Sequence, residues 1–108
     1  TDDIREAPSL ENVKMLLKNG AQICVYDPIG MENFKRYFPT EVSYCNSVEE
    51  TLKDKDIVFI MTEWDEFRNM NVQLFKKLMK IPLVYDGRNC FSPSKMLDHN
   101  IEYYSIGR

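Results

Sequence analysis

Apolar runs alternate with short polar turns along the whole chain, and their spacing switches back and forth between the helical and the extended period. Leu10, Val13 and Leu17 form one stripe on a predicted helix from Pro8, a favoured first-turn residue, to Asn19, and Gly20 stands where a left-handed cap ends it. Ile23 to Tyr26 is a short β-branched and aromatic strand closed by Asp27-Pro28. Met31, Phe34 and Phe38 recur at helical spacing until Pro39 stops the helix, and Val42 to Cys45 makes a second strand. Ser47-x-x-Glu50 reads as a capping box for a brief helix through Leu52, in which serine and glutamate satisfy each other's orphan backbone donors. Asp56 to Met61 holds the most apolar run and lacks in/out alternation, which predicts a strand buried on both faces. After Thr62-Glu63-Trp64 a helical pattern sets Leu74, Phe75 and Leu78 against a solvated face of Lys76, Lys77 and Lys80. Ile81 to Tyr85 is the next strand, with Pro82 near its start, where a missing N–H is tolerated. Ser92-Pro93 caps a short helix through Leu97, and Ile101 to Tyr104 is the last strand.

Five strands separated by helices predict an α/β fold, a doubly wound, Rossmann-like parallel sheet in three αβα layers with right-handed crossovers. Residues 1–108 are expected to form a single domain. A doubly wound half normally begins with a strand, whereas here the acidic opening Thr1-Asp-Asp-Ile-Arg-Glu6 runs directly into a helix. The first strand is therefore expected upstream of Thr1, and the chain, which lacks an initiator Met, is expected to be a piece of something larger.

Composition narrows the function classes. With 44% hydrophobic and 12% aromatic residues the chain is expected to fold rather than stay disordered. The longest apolar stretch, Ile57 to Met61, is far short of the roughly 20 residues of a membrane span. A net charge of -3 with interspersed signs offers no basic stripe for nucleic acid. Cys24, Cys45 and Cys90 are odd in number and widely spaced, with only His99 to help them, so they read as reduced thiols of a cytoplasmic protein and not as a metal site.

In an open parallel sheet, ligands gather outside the carboxyl ends of the strands, where helix N-termini and loop amides converge. Three loops qualify: Asp27-Pro28, Thr62-Glu63-Trp64-Asp65 and Asp86-Gly87-Arg88-Asn89. Arg88 is the sharpest candidate, a guanidinium able to fork onto a phosphate or carboxylate; the plainer reading is that it pairs with Asp86 or caps a loop. Asp27 at a strand end suits a ribose but equally a turn or helix cap, and the latter is preferred. Trp64 reads as core before it reads as a base-stacking platform, and Thr62 and Asp65 as caps. No Gly-x-Gly-x-x-Gly or Gly-Lys-Ser/Thr loop occurs, and Cys90 has no histidine nearby in sequence to activate it. The residues alone thus describe a nucleotide-type fold without catalytic machinery of its own.

As an ordered set, Thr1-Asp-Asp-Ile-Arg-Glu-Ala-Pro-Ser9, Val25-Tyr-Asp-Pro28, Thr62-Glu-Trp-Asp-Glu-Phe67 and Asp86-Gly-Arg-Asn89 resemble the C-terminal domain of the UDP-glucose/GDP-mannose dehydrogenase family, most nearly its UDP-glucose branch. The resemblance implies a parent enzyme that oxidises UDP-glucose twice, to UDP-glucuronate, with two NAD, and that forms a homo-oligomer. It also implies that NAD binding and the nucleophilic cysteine belong to absent parts of the chain, so that no catalytic residue lies in residues 1–108 and the segment is inactive alone. Carried over by motif, Arg88 is the UDP-sugar-binding arginine and Arg5 reaches NAD. The family's first strand, followed by a phenylalanine-lysine pair, would precede Thr1. Its slot between the Ile23 and Ile57 strands is then expected to be empty or filled by another chain, with a tendency to associate. Two other classes compete: a receiver-like signalling module with Asp27 or Asp86 as acceptor, against which the last strand offers no lysine, and a small self-sufficient enzyme, against which no activated nucleophile appears.

Overall fold

The computed structural model describes residues 8–106, with side chains from residue 10 onward. The chain divides into two compact units, residues 1–51 and 52–108.

In the first unit, helix α1 (Pro8–Lys18) leads to strand β1 (Cys24–Val25), helix α2 (Met31–Tyr37), strand β2 (Ser43–Tyr44) and helix α3 (Val48–Leu52), whose last residue begins the second unit. Gly20 takes a left-handed φ of 88°, ending α1 as its sequence position predicts. β1 and β2 are parallel, pairing Cys24 with Ser43 and Val25 with Tyr44. The expected stripe is buried: Leu10 and Val13 of α1 join Phe34, Phe38 and Val42 in one cluster, against which Leu17, Ile23, Val25 and Tyr44 pack. Phe38 caps α2 and Pro39 follows it, so the aromatic spacing and the stop signal both act where they were read. Ser47 Oγ accepts the Glu50 N–H at 3.0 Å, as a capping box requires, but the Glu50 carboxylate reaches back to the N–H of Asn46 at 3.2 Å, not to that of Ser47.

The second unit carries strands β3 (Val58–Ile60), β4 (Leu83–Asp86) and β5 (Glu102–Ser105), with helices α4 (Asp65–Arg68), α5 (Gln73–Leu78) and α6 (Pro93–Asp98) between them. All three strands are parallel in the order β3-β4-β5, with Phe59 opposite Tyr85 and Tyr85 opposite Tyr104. Side chains alternate across a pleated strand. Val84 and Asp86 of β4 accordingly lie on a buried face, while Tyr85 lies on the other. Ser92 Oγ caps α6 by accepting the Lys95 N–H, with Pro93 in the first turn.

The fold is α/β, parallel and Rossmann-like, as expected, and among the described residues its strands hydrogen-bond in two small sheets, of two and three strands. Two expectations are corrected here. β3 is not buried on both faces, since Phe59 is 40% exposed. What allows this is a stack of rings: Phe59 lies 5.5 Å from Tyr85, and Tyr85 lies 4.9 Å from Tyr104, centroid to centroid. Each ring covers part of its neighbour, so the face stays apolar without a full cover. Finally, the helix expected after Trp64 is two short helices. Asn71 separates them, its side-chain oxygen accepting the Gln73 N–H at 3.0 Å in place of a helical carbonyl.

Candidate functional site

The loop after β4 is built around Asp86. This aspartate is 1% exposed, and its carboxylate accepts three hydrogen bonds: from the Arg88 N–H at 3.1 Å, the Phe91 N–H at 3.1 Å and the Tyr103 hydroxyl at 2.7 Å. The same hydroxyl donates to the Phe91 carbonyl at 3.0 Å in the alternative geometry of that rotor. A buried carboxylate needs such partners, because an isolated one would cost several kcal/mol, of order 5, in desolvation. Here they are supplied by the loop's own backbone and by β5, so the residue that ends β4 also folds the turn from 86 to 91.

Two further features set the turn's course. Gly87 donates its N–H to the Ile60 carbonyl at 2.8 Å, and a Cβ at this position would stand 3.1 Å from that oxygen. The glycine therefore serves close approach to the end of β3. Asn89 takes a left-handed φ of 54°, a conformation asparagine tolerates better than most residues.

This turn presents the Arg88 side chain at the carboxyl end of the sheet, as its sequence position predicts. The guanidinium does not pair with Asp86, which takes only the backbone N–H of Arg88. Its partner is Glu63, 25 positions away in sequence, at 2.7 Å. Glu63 follows β3 and uses its second carboxylate oxygen to hold the guanidinium of Arg68, at the end of α4. The side chains of Glu63, Arg68 and Arg88 are 40, 49 and 48% exposed, so the triad is open to solvent. Hydrogen bonds from Arg88 and then Arg68 hold the Glu63 carboxyl below the ordinary glutamate range. Glu63 holds the Arg68 guanidinium above its ordinary value in return.

Arg68 and the bridging role of Glu63 were not legible as site features. The available signal was weak: an acid directly after a strand and a base at the end of the next short helix.

Cys90 lies beside this cluster, its thiol 3.9 Å from the Thr62 carbonyl. Burial, and then the charge of Asp86, push the thiol up to about 11, so it stays protonated near neutral pH. Cys45 is likewise pushed up to about 11, by burial and then by Cys24. All three cysteines are free, and among the described residues no group of three or more His, Cys, Asp or Glu gathers as a metal site would require. Trp64 is half-buried at the start of α4, and its indole N–H is the one buried side-chain polar group without a hydrogen-bond partner among the described residues. Lys76, Lys77 and Lys80 are exposed, as their helical spacing predicts.

Asp27 has the other role open to it. Its Oδ1 accepts the N–H groups of Ile29 at 3.0 Å and Gly30 at 2.7 Å, closing the turn into α2. A Cβ on Gly30 would stand 2.6 Å from the second carboxylate oxygen, so the glycine is what lets the aspartate fold over the turn. Arg5 lies outside the described residues. The phosphoacceptor reading finds no support at either aspartate, since Asp86 is buried and triply bonded and Asp27 is engaged in closing its own turn.

Comparison with known proteins agrees with the geometry. Residues 1–93 match the model of the UDP-glucose/GDP-mannose dehydrogenase family, UDP binding domain. A UDP-glucose 6-dehydrogenase of Bacillus subtilis, YwqF, is 40% identical over all of this chain, and a second from that organism, TuaD, is 37% identical. The UDP-glucose 6-dehydrogenase of Rickettsia felis is 40% identical over 99% of the chain. The chain spans about a quarter of these relatives, 24% of YwqF and 23% of TuaD.

Proposed function

Because the chain belongs to the UDP-glucose/GDP-mannose dehydrogenase family, we propose that it is the UDP-binding domain of a UDP-glucose 6-dehydrogenase, and that Arg88 holds the diphosphate of the substrate. The observation that carries this reading is the Asp86-centred turn, which fixes the backbone of Arg88 while leaving its guanidinium exposed at the carboxyl end of a parallel sheet. A planar, permanently charged fork suits a phosphate, and its position is preorganised by hydrogen bonds that do not involve the fork itself.

In this reading the segment supplies binding, and the oxidation of UDP-glucose to UDP-glucuronate takes place in the full-length, homo-oligomeric, cytoplasmic enzyme. NAD supplies the hydride acceptor there. Arg5 is proposed to touch NAD, and no cysteine described here acts as the nucleophile; the high thiol value of Cys90 supports that assignment. Binding energy contributed by Arg88 to the diphosphate, remote from the reacting carbon, orients the sugar.

The test is steady-state kinetics of the full-length enzyme. Arg88→Ala is expected to raise the KM for UDP-glucose by about tenfold or more while leaving the KM for NAD unchanged. Arg5→Ala is expected to do the reverse. An unchanged KM for UDP-glucose in Arg88→Ala would refute the role of that residue.

A further inference from the structure

The charge cluster at the ends of β3 and β4 contains more than the one arginine assigned above. Two guanidinium groups, from Arg68 and Arg88, converge on the two oxygens of a single carboxylate, Glu63. A carboxylate bridging two guanidinium forks occupies the position that a larger oxyanion with more acceptor oxygens can take over. We propose that Arg68 and Arg88 form one two-guanidinium cradle for the diphosphate of a nucleotide sugar, and that Glu63 fills this cradle when no ligand is bound. The proposal rests on the reading of Arg88 given above and extends it by one contact residue and one competing group.

Three observations support the exchange. All three side chains are about half exposed, so the ion pairs sit in high dielectric, where such pairs contribute little and break readily. Arg88 and Arg68 sit on separate elements, the β4 turn and α4, and both guanidinium groups meet on the one carboxylate of Glu63. Glu63 is held ionised below the usual range by the two arginines, so it competes as an anion for the same guanidinium groups.

A diphosphate entering the cradle displaces one or both Glu63 contacts and replaces a single negative charge with two or more. Glu63 therefore sets a threshold. It keeps the two arginines positioned and neutralised, it yields to a diphosphate, and it disfavours monoanions of lower charge.

Inhibition of the full-length enzyme by UDP and by uridine, with kcat measured alongside, tests the cradle. Arg68→Ala is expected to weaken UDP about tenfold, to leave uridine nearly unchanged, and to be partly rescued by Arg68→Lys. Glu63→Gln, which keeps the shape but removes the competing charge, is expected to tighten UDP and leave uridine unchanged. If Arg88→Ala weakens UDP but Arg68→Ala does not, or if Arg68→Ala weakens uridine as much as UDP, the cradle is wrong and the Arg88 reading survives. If Arg88→Ala itself leaves UDP unchanged, the parent reading fails instead. Should Arg68→Ala fold poorly by circular dichroism, the comparison of the neutral Arg68→Gln with the charged Arg68→Lys carries the same outcomes.

Discussion

Two turns in this chain start from the same local signal, an aspartate closing a strand, and do opposite things. After β1, Asp27 folds over its own turn and spends one carboxylate oxygen on the backbone N–H groups of Ile29 and Gly30. After β4, Asp86 is buried, and it gathers hydrogens from Arg88, Phe91 and Tyr103, the last from a neighbouring strand. The first aspartate closes the turn that leads into α2. The second shapes a turn whose exposed product is a guanidinium. Burial makes the difference: a buried carboxylate must collect all its partners from the protein, and in doing so it fixes the loop that provides them.

The contrast is sharpest in stability. Asp86→Ala removes the acceptor of two backbone N–H groups and a hydroxyl, leaving buried donors unpaired, and is expected to destabilise by about 3 kcal/mol or more. Chemical denaturation would show it as a large drop in midpoint, and a loss below about 1 kcal/mol would mean the turn holds itself without the carboxylate.

Asp27→Ala is expected to cost only about 1 kcal/mol, the usual net value of a lost hydrogen bond in an exposed turn. Gly30→Ala should cost a similar amount, about 1 kcal/mol, because the new Cβ evicts the Asp27 carboxylate. In the Asp27→Ala background the glycine substitution is then expected to be nearly free, a coupling that a double-mutant cycle reads directly. Full additivity would show that the two residues act separately.

Glu63 gives the next smaller effect, because its partners are exposed. Its folded value lies below the ordinary one, so whatever the pairs contribute is fully present above about pH 4.3, the unfolded glutamate value, and is lost as pH falls through the lowered folded value. Carboxyl chemical shifts followed against pH should show that lowered titration in the wild type and a return toward the ordinary value in Arg88→Ala. The unfolding midpoint at neutral pH should hardly move in Glu63→Gln. An ordinary titration in the wild type would remove the ion pair from solution.

The smallest expected signal belongs to Cys90. Its alkylation by iodoacetamide should rise with pH toward a midpoint of about 11. In Asp86→Asn the midpoint should fall, since one of the charges that raise it is gone. A wild-type midpoint in the ordinary thiol range, about 8.5, would contradict the burial on which the Asp86 turn depends.

The sequence by itself determined the elements and their ends. The Leu10-Val13-Leu17 stripe, the Gly20 stop, the Pro39 stop, the Ser47 half of the capping box and the Ser92-Pro93 cap all act where they were read, because each depends on contacts within about four residues. The parallel, Rossmann-like α/β class followed from their order, and the family motifs were legible for the same reason. Arg88 could be singled out because a strand end followed by Gly and Arg is a local pattern.

Only the tertiary structure decided what those residues meet. It placed Glu63 against Arg88 and brought in Arg68; it turned Asp86 inward and left Asp27 on its own turn. It also exposed Phe59 within a run apolar enough to suggest burial on both faces, and divided the strands into two hydrogen-bonded sheets. The physical reason is one of range. Capping and periodicity are written into neighbouring positions, whereas the partner of a carboxylate, the cover on a sheet face and the next strand in a ladder are chosen from residues tens of positions away.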